Sequence, residues 1–173
     1  MAKDKNDDIS NIVLQPVEIS VNFDPKEKNG KSPDKNQKNM KPGLTISRRF
    51  TKAGEDVFKD INWDKRVSLI TDEKGNVISQ IKDIEVPNFW TQLATDILAY
   101  KYLRKAGLKT EAGRETSAKQ AVYRIAHTMA DFGEKFGYFA SKADRQTYED
   151  ELLHILINQK AAFNSPVWFN CGL

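Results

Sequence analysis

The chain has 173 residues, of which 27 are Lys or Arg and 24 are Asp or Glu, so its formal net charge is +3 at pH 7. This length fits one domain of roughly 100–150 residues plus a tail, and the small charge excess argues against a nucleic-acid partner. No stretch reaches the ~20 apolar residues of a membrane helix and the charged start lacks a signal-peptide core, so we expect a cytoplasmic protein without a membrane partner.

Residues 1–43 are predicted to be a disordered, charged tail. Lysine, acidic residues and asparagine dominate it, and residues 26–39 contain no apolar side chain. Such a segment cannot bury enough surface to offset the entropy lost on ordering. Only the alternating apolar residues within 12–23 could form a strand, by adding to another sheet edge. A weak anionic-partner or docking function is the alternative to a solvated tail.

Residues 44–86 are predicted to form an extended segment with a β-hairpin. Two β-branched runs, at 67–70 and 77–81, flank a turn in which Gly75 or Asn76 supplies a positive φ.

Three helices are predicted in the region 87–162, at about 89–105, 117–132 and 141–162. Their expected N-caps are Asn88 for the first, Thr116 or Ser117 for the second and Ser141 for the third. Their expected buried faces are Trp90, Leu93, Ala94, Ile97 and Leu98 in the first, Val122, Ile125, Ala126 and Met129 in the second, and Tyr148, Leu152, Ile155, Leu156 and Gln159 in the third. The fold class is therefore mainly α with a small β-hairpin.

The last segment, 163–173, is aromatic and rich in turn-forming residues. It would leave Trp168, Phe169 and Leu173 on a short arm. Because burial of one large aromatic side chain contributes about 1.5–3 kcal/mol, we expect this segment to be covered by something that continues it or packs on it.

The two histidines, His127 and His154, lie in different predicted helices. Asp131 follows His127 at i+4 and could complete one ligand pair, but a metal site needs three or four ligands. We therefore predict no metal site and expect two structural histidines.

The acidic run 149–151 has two possible interpretations. It is either a solvated face of the third helix or a set of paired carboxylates for acid–base catalysis, and the charge run beside an apolar face favours the solvated face.

Cys171 and Ser165 are the candidate reactive groups near the end of the chain. Cys171 is the only cysteine, which excludes an internal disulfide framework and a dithiol couple within this chain. It is either a small packed side chain or a nucleophile approached by a histidine, and we favour packing. Ser165 follows a predicted helix, where free backbone N–H groups could help to hold an anion.

Several blocks resemble a known family, in the family's order. They are residues 49–54 (RFTKAG), 83–87 (DIEVP) with Trp90, 93–99 (LATDILA), 101–102 (KY), 104–107 (RKAG), 114–120 (RETSAKQ), 137–139 (GYF) and 161–173 (AAFNSPVWFNCGL). Together they are similar to the N-terminal region of the class II, adenosylcobalamin-dependent (vitamin B12-dependent) ribonucleotide reductases. The resemblance covers about residues 44–173.

This resemblance implies a helical region leading into the first strand of a ten-stranded α/β barrel, which residues 163–173 begin and do not complete. In the family, adenosylcobalamin generates a thiyl radical that abstracts the 3′ hydrogen of a ribonucleotide, and a cysteine pair supplies the reducing equivalents. Ser165 matches the hydroxyl residue that contacts the substrate. With a single cysteine outside the redox positions, this chain carries no catalytic residue and is expected to be inactive alone.

Two functions from different classes follow. The first is the N-terminal part of a ribonucleoside-diphosphate reductase, truncated or split, whose partner is the remainder of the enzyme with most of the adenosylcobalamin site. The second is a helical interaction module without activity, derived from the same fold. The choice between diphosphate and triphosphate substrates, and a homodimer of the complete enzyme, stay open.

Overall fold

The computed structural model describes residues 43–108 and 112–172, so the predicted tail and its candidate strand lie outside the described residues. The elements are β1 (Trp63–Thr71), β2 (Val77–Pro87), α1 (Gln92–Ile97), a π-helical turn (Leu98–Tyr102), α2 (Ala118–Lys135), α3 (Lys142–Ile157) and α4 (Ser165–Asn170). Helices with one antiparallel hairpin confirm the predicted mixture. Within the described residues this hairpin is the only sheet, and no barrel is formed.

The hairpin forms where the sequence predicted it. Asp72 organises the turn, since its carboxylate accepts hydrogen bonds from the backbone N–H groups of Lys74 and Asn76 at 2.9 and 2.8 Å. Gly75, rather than Asn76, has the positive φ of 84° that the turn needs. In β2, Asp83 also has a positive φ, 57°, at an irregularity in the strand pairing.

The first helix is shorter than predicted. Its N-cap is Thr91, whose side chain accepts from Ala94 N–H, so the assignment of Asn88 as the cap is wrong. Asn88 is held in a turn instead, because its carbonyl accepts from Arg66 at 2.7 Å. The chain leaves the helix at Leu103 after the π-helical turn.

Only part of the predicted apolar face of the first helix is buried. Trp90 and Leu98 lie in the core, whereas Leu93 and Ile97 are 69% and 41% exposed. The early end of α1 and the π-helical turn after it interrupt the 3.6-residue periodicity on which the prediction rested.

Helix α2 follows its predicted start and apolar face. Ser117 is the N-cap, and the capping box is complete because Gln120 Oε1 accepts from Ser117 N–H at 3.1 Å. Val122, Ile125 and Ala126 are fully buried. The predicted weak end at Gly133 is continuous helix, and this glycine lets the Phe139 ring approach to a distance at which a Cβ would clash.

Helix α3 starts at the predicted cap, Ser141, but ends five residues earlier than predicted. Two of its sides are covered, one by α2 and the other by the extended segment before β1. Leu153 and Ile157, which the predicted apolar face omitted, are therefore buried.

The chain end is helical, so the expected barrel strand is wrong for residues 165–170. Pro166 occupies the first turn of α4, where its fixed φ favours a helix and its missing N–H costs nothing. Trp168 on this helix is buried, and its indole N–H donates to the carbonyl of Phe163 at 3.0 Å. The expectation that this aromatic segment is covered holds for Trp168, while Phe169 is 48% exposed.

One hydrophobic core joins the base of the hairpin to the helices. Trp90 is central to it, since its indole N–H donates to the carbonyl of Ile157 at 2.8 Å across the core. None of the helices in the described residues is long and apolar enough to cross a membrane.

Replacement of Ser117 by Ala should lower the free energy of unfolding by about 1 kcal/mol, because the first turn of α2 loses its side-chain acceptor. Urea denaturation followed by circular dichroism measures the change. Ser47→Ala is the control, since Ser47 is exposed and forms no side-chain hydrogen bond to the described residues. Equal stability of the two variants would contradict a stabilising cap.

Candidate functional site

Ser165, the predicted substrate contact, opens α4 and is half-buried. Its Oγ lies 3.0 Å from the hydroxyl of Tyr102, so the two side chains share a hydrogen bond. The Tyr102 ring is fixed between aromatic neighbours, with ring centroids 5.5 Å from Trp168 and 5.4 Å from Phe169. The structure thus pairs Ser165 with Tyr102, which lies in one of the family-like blocks but to which the sequence analysis gave no role.

Arg124 holds the two sides of this site together. Its guanidinium, on α2, donates to the carbonyls of Tyr102, Trp168 and Cys171 at 3.3, 3.2 and 2.8 Å. Its Nε donates to Glu115 at 2.7 Å, and both side chains are buried, at 9% and 3% exposure. A guanidinium has five donors in a planar fork, which suits several acceptors at once.

Glu115 fixes the chain on the other side of this arginine. Its carboxylate accepts from the backbone N–H of Arg104 at 2.9 Å, and its own N–H donates to the Arg104 carbonyl at 2.8 Å. This pairing explains why the π-helical turn ends at Tyr102, because an extended Leu103 is needed to present Arg104 to Glu115.

Gly172 allows the end of α4 to lie directly on α2. A Cβ at this position would stand 2.5 Å from Arg124 Cγ and 2.8 Å from Thr128 Oγ1, and the residue has a positive φ of 75°. Both facts require glycine here.

A cavity of about 240 Å³ lies beside Tyr102, between the first helix, the end of α3 and α4. Its walls are largely apolar and include Trp90, Leu98, Phe163 and Trp168, and Gln159 also lines it. Tyr102 contributes to the cavity wall and to the hydrogen bond with Ser165, so the two features are neighbours.

The acidic run of α3 is buried, which corrects its interpretation as a solvated face. Glu149, Asp150 and Glu151 are each at most 8% exposed. Asp150 pairs with Arg48 at 2.7 Å, and Glu149 pairs with Arg145. These carboxylates are occupied by structural partners, of which Arg48 lies in the segment that covers α3 and Arg145 lies on α3 itself.

Glu151 anchors that segment through its backbone. The carboxylate accepts from the N–H groups of Phe50 and Thr51 at 3.0 and 2.9 Å and from the Thr51 hydroxyl at 2.7 Å. Burial alone would raise the pKa of Glu151, but these hydrogen bonds outweigh it and lower the pKa below its ordinary value.

The histidines occupy separate structural settings. His127 Nδ1 lies 3.0 Å from Glu149, and its Nε2 lies 3.2 Å from Asp131. His154 stacks on Phe50 with ring centroids 5.0 Å apart, and burial lowers its pKa. No group of three or more His, Cys, Asp or Glu side chains in the described part of the chain is placed to hold a metal ion.

Cys171 is half-buried and packs against the core, as the sequence analysis favoured. Burial raises the pKa of its thiol, and the opposing charges of Arg124 and Arg104 do not reverse this. The thiol is therefore protonated at neutral pH and is a poor nucleophile. It lines an apolar cavity of about 450 Å³ to which neither histidine contributes.

Comparison of the sequence with known proteins gives matches that all belong to one family. The sequence profile described as Class II vitamin B12-dependent ribonucleotide reductase matches residues 64–159. The chain is similar to the vitamin B12-dependent ribonucleotide reductases of Agrobacterium fabrum, Rhodopirellula baltica and Streptomyces clavuligerus, with sequence identities of 37%, 38% and 39%. These alignments cover 75%, 76% and 75% of this chain. The chain spans about 13% of the length of each of these relatives.

Replacement of Arg124 by Met should lower the free energy of unfolding by about 3–5 kcal/mol, because Glu115 is left buried without its counter-charge. Chemical denaturation measures this loss. Lys59→Met is the matched control, since Lys59 pairs with Glu55 at the surface and its removal should change little. Comparable losses in both variants would show that the buried pair has no special role.

The carboxylate of Glu151 should make stability depend on acidic pH. Because its pKa is lower in the folded chain, its contribution is complete above the unfolded pKa near 4.5 and is lost as pH falls through the folded value. Glu151→Gln should therefore lower Tm at pH 7 and flatten the fall of Tm below pH 4.5. Glu73→Gln, in the exposed hairpin turn, should leave both unchanged. If Tm of Glu151→Gln fell below pH 4.5 as steeply as Tm of the wild type, the predicted contribution of this carboxylate would be contradicted.

Proposed function

The chain belongs to the class II vitamin B12-dependent ribonucleotide reductase family, and we propose that it supplies the N-terminal helical region of such a reductase and part of its substrate pocket. The family match over residues 64–159 carries this proposal, together with identities of 37–39% to the relatives named above. The complete enzyme would convert ribonucleotides, most simply the diphosphates, to deoxyribonucleotides for DNA synthesis.

The catalytic groups belong to the remainder of the reductase in this proposal. A thiyl radical and a separate reducing cysteine pair need at least three cysteines, and this chain has one, whose thiol is protonated. The barrel that this helical region would precede is likewise part of the remainder. The isolated chain is therefore expected to be inactive and to act with a partner that completes it.

The described cavities around α2 and α3 have volumes of about 450, 450 and 320 Å³, so none of these three encloses a corrin ring with its nucleotide tail. We assign the cofactor, which would supply the radical, to the remainder of the enzyme.

Ser165 is the residue that we place in the substrate pocket. Its hydroxyl can donate to a phosphate or ribose oxygen while it accepts from Tyr102, so the substrate contact and the internal hydrogen bond are compatible. Arg124 supports this geometry indirectly, since it binds the backbone on both sides of the pair.

A surface cluster of exposed aromatic residues favours the second function, an interaction module. Phe132, Phe136 and Tyr138 are each more than half exposed, and the two phenylalanine rings lie 4.4 Å apart. Such a patch is typical of a surface that contacts another protein.

Mixing the chain with the remaining reductase portion and adenosylcobalamin separates the two functions. Deoxynucleotide formation that needs both pieces supports the reductase, whereas a stable complex whose turnover does not depend on this chain supports the interaction module.

Ser165→Ala in the reconstituted enzyme should lower kcat/KM roughly 10- to 150-fold, because a hydrogen bond to a charged oxygen contributes about 1.5–3 kcal/mol. Steady-state assays of substrate reduction measure the change. Ser79→Ala is the control, since Ser79 is also half-buried and forms no side-chain hydrogen bond to the described residues. If Ser165→Ala left kcat/KM unchanged, the proposed contact between Ser165 and the substrate would be ruled out.

A further inference from the structure

The apolar cavity of about 450 Å³ at the C-terminal end of α2 is separate from the Ser165 site. Its walls come from α2, from the turn that follows this helix, from Tyr148 of α3, from Leu44 and from Cys171. No Lys, Arg, His, Asp or Glu side chain among the described residues lines it. A group that enters this cavity must therefore be apolar, because the walls offer no charge with which a polar group could pair.

The entrance to this cavity is surrounded by exposed apolar side chains. Phe132 and Tyr138 line the cavity and are 53% and 52% exposed, and Leu44 on the opposite side is 62% exposed. Phe136 lies beside them, with its ring 4.4 Å from that of Phe132. We call these four residues the apolar rim. Because burial of large apolar side chains is favourable, the rim is more stable when another apolar group covers it.

The rim is held in place by backbone contacts. Leu44 N–H donates to the Tyr138 carbonyl at 2.7 Å, and the Leu44 carbonyl accepts from Ala140 N–H at 3.0 Å. Gly43 lies so close to Phe139 that a Cβ would stand 2.4 Å from its carbonyl carbon. The cavity is therefore already formed, and a group that binds there does not have to order its walls.

The chain leaves α4 directly beside this cavity. Cys171 lines it, and a Cβ at Gly172 would stand 2.8 Å from the hydroxyl of Thr128, which is another lining residue. Phe136, at the far end of the rim, lies about 12 Å beyond Thr128 along the α2 axis. Because an extended chain covers about 3.3 Å per residue, about four residues after residue 173 are enough to cross the rim.

The size of the rim favours a covalently connected segment over a second copy of the chain. With about half of each side chain exposed, the four rim residues present roughly 400 Å² of surface. A stable dimer buries about 800 Å² on each partner, so the rim is too small to hold one by itself. A connected segment needs less area, because its effective concentration at the cavity is high.

We propose that the segment of the reductase that directly follows residue 173 lies across the apolar rim and inserts a large apolar side chain into the cavity. The inference rests on the proposed function, because it takes this chain to be the N-terminal region of a longer enzyme. The matched part is about 13% of the length of each relative named above, so a family member has further chain that can supply this segment.

An extended chain tests the proposal without the rest of the enzyme. It consists of the 173 residues followed by the fifteen residues that come after the aligned region in the Agrobacterium fabrum reductase. The extension should raise Tm by about 3–8 °C, because it buries the rim. An extension in which every large apolar residue is replaced by Ser should give no rise.

Phe132→Glu and Leu44→Glu should each abolish this rise in Tm, because a carboxylate at the rim finds no counter-charge in the cavity. Each variant is measured with and without the extension, so that any loss of stability from the substitution itself cancels. Phe89→Glu is the matched control, since Phe89 is 51% exposed and lines a different cavity. Its rise in Tm on extension should equal that of the wild type.

Three results would overturn the inference. The first is an equal Tm of the chain with and without the extension, and the second is a rise in Tm that persists in Phe132→Glu and Leu44→Glu. The third is a dimer of the 173-residue chain in sedimentation velocity that both substitutions abolish, because a second copy would then occupy the rim.

Failure of this inference is distinguishable from failure of the proposed function. If deoxynucleotide formation needs this chain but the extension leaves Tm unchanged, the contact at the rim fails and the reductase function stands. If the extension raises Tm through the rim but turnover does not depend on this chain, the contact stands and the reductase function fails.

Discussion

The buried Arg124–Glu115 pair is the interaction on which the arrangement of the candidate site depends. Arg124 extends from α2 to backbone carbonyls on both sides of the site, at Tyr102 and at the end of α4. Glu115 neutralises the guanidinium and holds the strand-like segment after the π-helical turn. Because a buried charge without a partner is strongly destabilising, the pair can form only when all these segments are in place. The short distance between the Tyr102 and Ser165 hydroxyls thus depends on the Arg124–Glu115 ion pair, which touches neither hydroxyl.

Local signals in the sequence were sufficient to predict the elements whose ends are capped by residues close to them in the chain. The turn at Asp72 and the caps at Ser117 and Ser141 use contacts within four residues, so their chemistry is visible in sequence. The cap of α1 was misplaced because Asn88 is held by Arg66, 22 residues away along the chain. The short helix α4 was missed because the family resemblance favoured a strand and because helices of six residues leave little periodicity.

Only one residue of the candidate site, Ser165, could be predicted from the sequence, and the residues that surround it could not. Ser165 was predicted from a motif, whereas no local pattern gives a role to Tyr102 or Arg124, which reach the site only through tertiary packing. The buried acidic run shows the same limit, since a charge run predicts solvent exposure unless its partners, here Arg48 and Arg145 among others, are known to lie across from it.

The protonated state of Cys171 has a consequence for assembly with a thiol-dependent partner. Disulfide exchange requires a thiolate, and the raised pKa of this side chain keeps its thiolate fraction small at neutral pH. In the assembly proposed above, a reducing cysteine pair of the remaining enzyme would therefore form a mixed disulfide with Cys171 only slowly. The helical region can therefore lie close to reactive thiols while its own cysteine reacts little with them.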